Sequence, residues 1–243
     1  MGVFKKLKIA TNWIRGYEFG DPARNGEYFF LRQYLRPRMV VFDVGANVGE
    51  YTEYLASLHN DLHVFCFEPV RSTFDALKQR IDCMSNHGIK VFNVGLSDRA
   101  GHARLKCFGP LAGSNSLYER PYSFPGEPVL REETITLTTL DEFLETNSVT
   151  DIDLLKIDVE GHELSVIQGA VKTIRERRVT CIQFEYGNSF RDANITLESL
   201  CALLMANRYK IYRLWPFGKI RVNSAHVARL ENYKHSNWVA IRA

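Results

Sequence analysis

The stretch that decides the fold is Val40-Val41-Phe42-Asp43-Val44-Gly45-Ala46-Asn47-Val48-Gly49. Apolar residues lead into Asp43, and Gly45 and Gly49 bracket a short bend. After the bend, apolar and aromatic residues recur at helical spacing, at Tyr51, Tyr54, Leu55 and Leu58. The pattern predicts a buried strand, a tight turn and a helix. Glycines in such a turn let the backbone approach a ligand, and the helix N-terminus offers free N–H groups.

Two patterns for phosphate-containing ligands fail at this turn. A dinucleotide fingerprint needs G-x-G-x-x-G, but Asn47 and Glu50 stand where the second and third glycines should be. No Gly-Lys-Ser/Thr sequence of a phosphate-binding loop follows. Carboxylates at Asp43 and Glu50 would also repel a pyrophosphate. A ligand with a cationic amino group, a ribose and no phosphate fits better, and S-adenosylmethionine (SAM) has these features.

Composition is that of an ordinary globular protein, with 243 residues, 45% apolar and 24% charged. This length suits one large α/β domain. A net charge of +3 is too small to indicate nucleic acid as a partner. The five cysteines are scattered without a Cys-x-x-Cys pair, and no signal peptide or membrane-spanning run is recognisable. We therefore expect a cytoplasmic protein with reduced thiols.

Residues 1–38 precede the glycine turn and are expected to form an N-terminal helical extension. An apolar stripe over Val3–Ile14, with lysines on the other faces, predicts a first helix. It is interpreted as packed over the domain, with a weak contact to a membrane surface as the alternative. The pattern from Glu27 to Leu35 predicts a second helix that ends before Pro37.

Residues 39–243 alternate predicted strands and helices, which is typical of an α/β fold with a mostly parallel sheet and helices on both faces. No helical pattern separates the last two predicted strands, so they are expected to be an antiparallel pair. The strands after the glycine turn are predicted at His63–Phe67, Lys90–Val94, Ile152–Ile157, Val179–Phe184, Tyr209–Leu214 and Trp238–Ile241. Leu164, Ile167, Val171 and Ile174 predict one helix after the strand at Ile152–Ile157.

An insertion interrupts the alternation at about residues 100–137. Predicted strands at His102–Cys107 and Glu133–Leu137 flank the stretch 109–128, which is rich in proline, glycine and aromatic residues. Two interpretations stay open: a mobile surface insertion, or a lid that meets substrate with its aromatic side chains.

Acidic residues follow most of the predicted parallel strands. The carboxyl ends of such strands meet at one edge of the sheet, where ligands of these folds bind. Glu68 follows Gly49 at about the 20-residue spacing at which an acid meets a ribose. A buried carboxylate is costly without a partner, so the set predicts a site for cationic or hydroxyl groups. Its members are Asp43, Glu68, Asp98, Asp158, Glu160 and Glu185.

Five motifs in order resemble the FkbM-type methyltransferases, a branch of the SAM-dependent class I methyltransferases. They are Phe42–Gly49, Phe67-Glu68-Pro69, Asn93–Asp98, Thr139-Leu140-Asp141 and Leu155–Gly161, and the resemblance spans roughly residues 39–186. The resemblance implies a Rossmann-like sheet of seven strands and methyl transfer from SAM, usually to a hydroxyl. Substrates of the family include sugars, glycolipids and secondary metabolites.

The resemblance also implies which residues hold the cofactor. Asp43, Gly45 and Asn47 match contacts of the methionine end, Glu68 matches the ribose contact, and Ser97 with Asp98 match the adenine side. The full expected set is Asp43, Gly45, Ala46, Asn47, Gly49, Glu68, Pro69, Leu96, Ser97 and Asp98.

Lys156, Asp158, Glu160 and His162 lie where class I enzymes place catalytic or substrate-facing groups. Asp158 or Glu160 could act as general base with a pKa raised by burial. His162 is a third candidate because its ordinary pKa is near neutral, although a solvent-facing residue at a helix start is the favoured interpretation. Lys156 would orient a substrate or pair with Asp158.

Other interpretations of these residues stay open. An oxygen-rich magnesium set of Asp158, Glu185 and Asn188 is conceivable, although no metal is expected. An NAD-dependent oxidoreductase or epimerase is the second hypothesis for function, and a non-catalytic binding module on the same fold is the third. The acceptor is expected to be a small molecule or a glycan- or lipid-linked compound. The sequence does not address its identity or the oligomeric state.

Overall fold

The computed structural model describes residues 21–243. The predicted amphipathic stretch Val3–Ile14, and the hypothesis of a membrane contact through it, lie outside the described residues. In chain order the elements are α1 (Glu27–Tyr34), β1 (Val40–Val44), α2 (Glu50–Leu58), β2 (His63–Phe67), α3 (Arg71–Asp82), β3 (Ile89–Phe92), β4 (Gly95–Leu96), β5 (Gly101–Cys107), β6 (Arg131–Thr138), α4 (Leu140–Thr146), β7 (Ile152–Ile157), α5 (Glu163–Gln168), α6 (Val171–Arg175), β8 (Val179–Tyr186), α7 (Asn188–Asp192), α8 (Leu197–Ala206), β9 (Tyr209–Trp215), β10 (Gly218–Val222), α9 (Ser224–Val227), a 3₁₀ turn (Ala228–Leu230) and β11 (Ser236–Arg242).

The main sheet has eight strands in the order β10-β9-β11-β8-β7-β1-β2-β3. Its β8-β7-β1-β2-β3 half is parallel, and β11 runs antiparallel to both β8 and β9. The predicted α/β class, with a mostly parallel sheet and a terminal antiparallel pair, is confirmed. The resemblance implied seven strands, but the main sheet has eight. The additional strand is β10, Gly218–Val222, which forms an antiparallel hairpin with β9. Four of the five β10 residues are exposed or half-buried, so no buried alternation marks this edge strand in the sequence.

The two faces of the main sheet carry separate cores. Phe42, Val44 and Phe67 point to the face covered by α4, α5, α6 and α8. Val41 and Val64 point to the other face, where α1, α2 and α3 pack. Helices therefore lie on both faces, as predicted, and α1 joins the second core through Phe30 and Leu31. No helix among residues 21–243 is both long and apolar enough to cross a membrane.

A smaller sheet of three strands, in the order β4-β6-β5, carries the insertion between β5 and β6. The antiparallel β5–β6 register places Gly101 opposite Leu137 and Cys107 opposite Arg131. The strands match the pair predicted on either side of the 109–128 stretch.

The single helix predicted from Leu164 to Ile174 is wrong, because the chain forms α5 and α6 with a break at Gly169 and Ala170. Asp141 explains the restart. Its carboxylate accepts hydrogen bonds from the amides of Lys172 and Thr173 and so caps the first turn of α6. Asp141 itself lies inside the predicted capping box of Thr139 and Glu142, which is confirmed.

Candidate active site

The glycine turn sits between the ends of β2 and β7. The amides of Gly45 and Ala46 both donate to the carbonyl of Phe67, each at 3.0 Å. Gly45 has φ +82°, and a Cβ there would lie 1.9 Å from the carbonyl oxygen of Asp158. The backbone can pass this close to β7 only without a side chain.

We expect Gly45→Ala to lower the free energy of unfolding by more than Gly126→Ala does. Gly126 is a matched control because it has φ +83° with open space around its missing Cβ. The control therefore reports only the strain of a left-handed alanine, about 1–2 kcal/mol. Urea unfolding of both variants measures the difference, and equal losses would contradict the close approach to Asp158.

Glu68 is held beside the turn by backbone amides. Its carboxylate accepts from the N–H of Asn47 at 3.1 Å and from that of Val70 at 2.9 Å, and the residue is 6% exposed. Burial raises the pKa of Glu68 to about 7, although the two amides act to lower it. The side chain of Asn93 fixes the following bend by donating to the carbonyls of Glu68 and Pro69.

A polar row crosses the α1/α2 face of the sheet, with Asp43, Lys156 and Gln183 on adjacent strands in register. The Lys156 Nζ lies 3.7 Å from Asp43 Oδ1 and 3.1 Å from Asp158 Oδ2. Thr52 donates to the other oxygen of Asp43 at 2.7 Å. Burial alone would lower the pKa of Lys156, but the carboxylates of Asp158 and Asp43 outweigh it and raise that pKa. Lys156 is therefore a cation that pairs with two carboxylates.

Two cavities meet at Asp158. The larger has a volume of about 450 Å³, within the roughly 300–1,000 Å³ of small-molecule pockets, and is lined by the glycine turn and by Glu27, Glu185 and Lys156, among others. The smaller, about 70 Å³, lies between Glu68 and the start of the insertion. Asp158 and the turn residues Gly45 and Asn47 line both. The two cavities are thus adjacent at the carboxyl ends of the strands, and we treat them together as the candidate site.

His235 pairs with Glu185 at the edge of the larger cavity, with Nδ1 2.8 Å from the carboxylate. Burial alone would lower the pKa of His235, but the hydrogen bond and charge of Glu185 raise it to about 9. His235 is therefore a second cation with a dedicated acid.

His162 lies apart from both cavities. Its ring nitrogens are 2.8 Å from the hydroxyls of Ser97 and Tyr118, and Ser97 also donates to Asp98. Burial lowers the pKa of His162 to about 4, so the ring is neutral near pH 7. His162 is at the start of α5, as interpreted, but it is half-buried and not turned freely to solvent, because Tyr118 of the insertion is bonded to its ring.

Glu160 ties the site to the insertion. Arg120 is almost fully buried and donates to Glu160 at 2.7 Å, and its Nε lies 3.3 Å from the buried carboxylate of Asp192. Burial raises the pKa of Glu160 to about 8 even with Arg120 acting to lower it. Ser116 also donates to the backbone carbonyl of Glu160. Two residues of the insertion, Arg120 and Ser116, therefore bind the insertion to the turn that follows β7.

The residues of the conceivable magnesium set are each engaged elsewhere. Asp158 pairs with Lys156, Glu185 pairs with His235, and the Asn188 amide donates to the carbonyl of Tyr122. Within residues 21–243, no group of three or more His, Cys, Asp or Glu side chains is arranged to hold a metal ion.

The expected cofactor residues separate into two groups. Those that line the cavities are Gly45, Ala46, Asn47, Glu68 and Pro69. Those that line neither cavity are Asp43, Gly49, Leu96, Ser97 and Asp98. Asp43 is fully buried beneath α2, and Ser97 with Asp98 belongs to the His162 cluster. Of the expected catalytic residues, Lys156 and Asp158 line the larger cavity, and Glu160 lines only the smaller one.

Sequence reasoning missed Glu27, Tyr28 and His235, which all line the larger cavity. Glu27 did carry a signal, because it falls on the buried stripe of α1 with Phe30 and Leu31, where an acid is out of place. No sequence signal marked His235, since only the pairing of β11 with β8 brings it close to Glu185.

The strand order, the glycine turn after β1 and the acid after β2 define a class I methyltransferase fold. The solved structure of the Streptococcus mutans protein SMU.1697c, a methyltransferase fold in complex with SAH, matches it with a TM-score of 0.50 at 10% identity, over 93% of this chain and all of that one. The chain belongs to the methyltransferase FkbM domain family, whose model matches residues 43–211.

Two relatives illustrate the range of the family. The hexuronic acid methyltransferase AglP of Haloferax volcanii is 28% identical over 161 residues, which are 65% of this chain and 61% of that protein. The 2-O-methyltransferase NoeI of Sinorhizobium fredii is 26% identical over 182 residues, 70% of this chain and 72% of that protein. The chain thus spans about three fifths of AglP.

Proposed function

We propose that this protein transfers a methyl group from SAM to a hydroxyl of a sugar, glycolipid or secondary metabolite. The observation that carries the proposal is Glu68, a buried carboxylate held by two backbone amides at the end of β2, beside the glycine turn. A carboxylate in this position suits the two hydroxyls of a ribose. Membership of the FkbM family, and the names of AglP and NoeI, support the reaction and the acceptor class.

The charges of the larger cavity favour SAM over a phosphate-containing cofactor. Among residues 21–243, Glu27, Glu50, Asp158 and Glu185 line the cavity, and the two cations that line it there, Lys156 and His235, already have acidic partners. A pyrophosphate would therefore meet acids without a free cation, whereas a sulfonium and an ammonium would meet complementary charge. Gly45 lets the backbone approach the bound cofactor closely.

In this proposal, the bound SAM supplies a methyl group already activated by its positive sulfur. The chain then has to align an acceptor oxygen with that methyl group, which Glu68 and the glycine turn do by fixing the cofactor. Asp158 lies where the two cavities meet, and we assign it as the base that takes the acceptor's proton. Lys156 holds the Asp158 carboxylate at 3.1 Å and so orients it. Glu160 and His162 are bonded to Arg120 and to Ser97 with Tyr118, so we assign them to positioning.

The insertion is best explained as a lid on the cofactor site. Gly113 approaches Asn47, and Arg120 fastens the insertion to Glu160. The 70 Å³ beside Glu68 is small for an adenosine, so the lid would open to admit one. A cytoplasmic location is also part of the proposal, supported by five cysteines that are all free thiols.

Isothermal titration calorimetry with SAH, SAM and NADH tests the proposal. We expect SAH and SAM to bind with dissociation constants in the micromolar range, as is common for small cofactors with about 8 kcal/mol of binding free energy. NADH is expected not to bind. Binding of NADH without SAH would indicate an oxidoreductase, and failure of folded protein to bind any of the three would leave only a binding module on this fold.

A further inference from the structure

Glu27 is a buried acid that faces the larger cavity and makes no hydrogen bond or close ion pair with its side chain among residues 21–243. The residue is 7% exposed and lines the cavity together with Asp158 and Lys156. Its carboxylate has no hydrogen bond or close ion pair within the described part of the chain, where the charge of Lys156 acts on it only from a longer distance. Its backbone amide donates to the side chain of Asn25. The position is fixed because Gly26, with φ +96°, lies directly against the carbonyl of Trp215. A carboxylate held in this way carries a large desolvation cost unless a ligand meets it.

The other acids of the cavity differ from Glu27. Asp158 is paired with Lys156 and Glu185 with His235, whereas Glu50 is exposed to solvent. Glu27 is thus the buried acid of this lining that lacks a direct cationic partner. A neutral hydroxyl would leave its charge uncompensated, whereas an ammonium group would neutralise it.

Another part of the lining suits a carboxylate. It is formed by Ala46, Asn47 and Val48, which lead into α2. The N-cap residue Gly49 provides no side-chain hydrogen bond, so the amides of the first turn of this nine-residue helix have no side-chain cap. Such a helix start attracts anions, and the carboxylate at its first position, Glu50, is exposed to solvent, where its charge is screened. One cavity is therefore lined both by a buried acid and by a positive helix end, which is the pattern that an amino acid's ammonium and carboxylate require.

We propose that Glu27 binds the α-ammonium group of the methionine end of SAM, while the start of α2 receives its carboxylate. The inference rests on the proposed use of SAM. It assigns to Glu27 the contact expected for Asp43, which lines neither cavity, is fully buried and is bonded to Thr52. It also places a cofactor contact in α1, which precedes the 43–211 family match.

The test compares SAH with 5′-methylthioadenosine, which keeps the adenosine and the thioether but lacks the amino-acid end. Calorimetry on Glu27→Gln should show SAH binding about ten- to a hundred-fold weaker, as for loss of a hydrogen bond to a charged group. Binding of 5′-methylthioadenosine should stay within about twofold, because it lacks the ammonium that Glu27 meets. Glu145→Gln is the control, since it removes a surface acid of α4 that pairs with Lys172 and lines neither cavity; its SAH affinity should match wild type.

The outcomes separate the inference from the proposed function. Equal losses for both ligands would overturn the inference, because Glu27 would then act through the whole site. Unchanged SAH affinity with a raised KM for the acceptor would overturn it too, by placing Glu27 against the acceptor. Wild-type protein that binds neither ligand would contradict the proposed function itself. Thermal melting checks folding, and Glu27→Gln should melt no lower than wild type because it removes a buried unpaired charge.

Discussion

Replacing Asp158 by asparagine is expected to lower kcat by roughly 10²–10⁴-fold, the usual contribution of a positioned general base. Asparagine keeps the shape of the side chain but cannot accept the acceptor's proton. Asp158 lines both cavities but takes no part in the hydrogen bonds that hold Glu68. SAH affinity should therefore change by only a few-fold. A panel of neutral and acidic glycosides is first screened for an acceptor that wild-type protein turns over. The rate with that acceptor is then measured as SAH release.

Asp75→Asn is the control for this experiment. Asp75 pairs with Arg71 on the surface of α3, away from both cavities, and its substitution should leave kcat unchanged. An Asp158→Asn enzyme that retains kcat within a few-fold of wild type would show that the reaction needs no base at this position. A large rise in the dissociation constant of SAH, with kcat preserved, would instead make Asp158 a cofactor contact.

Replacing Lys156 by methionine should lower the free energy of unfolding by about 3–5 kcal/mol, the usual cost of breaking a buried ion pair. The substitution leaves Asp43, which is 0% exposed, without the cation that lies 3.7 Å away. Thr52 still donates to Asp43, but one hydrogen bond does not compensate a buried charge. Urea unfolding measures the loss, and Lys172→Met, which removes a surface pair with Glu145, should have a much smaller effect.

A second substitution sharpens this prediction. Adding Asp43→Asn to Lys156→Met removes the uncompensated charge, so the double variant should recover much of the stability lost by the single one. The interaction energy from the double-mutant cycle then reports the pair itself. Additive losses, or a Lys156→Met variant as stable as wild type, would contradict the role of Lys156 as the partner of these acids.

The strands and the glycine turn could be predicted because their signals are local. The runs Val40–Val44 and Ile152–Ile157 are short and mostly apolar. Their ends could therefore be predicted, and the acids that follow them could be placed at one edge of the sheet. The sequence did not show to which face of the sheet each residue points. A strand buried on both faces lacks the polar alternation that marks an outer side, and so Asp43 could not be distinguished from a ligand contact.

The remaining features depend on long-range pairing. The environment of His162 depends on Tyr118, which the insertion brings from 44 residues away. The Glu185–His235 pair depends on β11 running antiparallel beside β8. The break between α5 and α6 depends on the carboxylate of Asp141 in another helix. Glu27 is different, since an acid on the buried stripe of α1 was visible in the sequence and its use depends on the cavity above it.

A crystal structure of this protein with SAH would show directly which residues hold the cofactor. We expect the ribose hydroxyls to lie on the carboxylate of Glu68, the sulfur beside Asp158, and the amino-acid end between Glu27 and the start of α2. SAH bound away from the two cavities, or bound with its ribose out of reach of Glu68, would contradict this expectation.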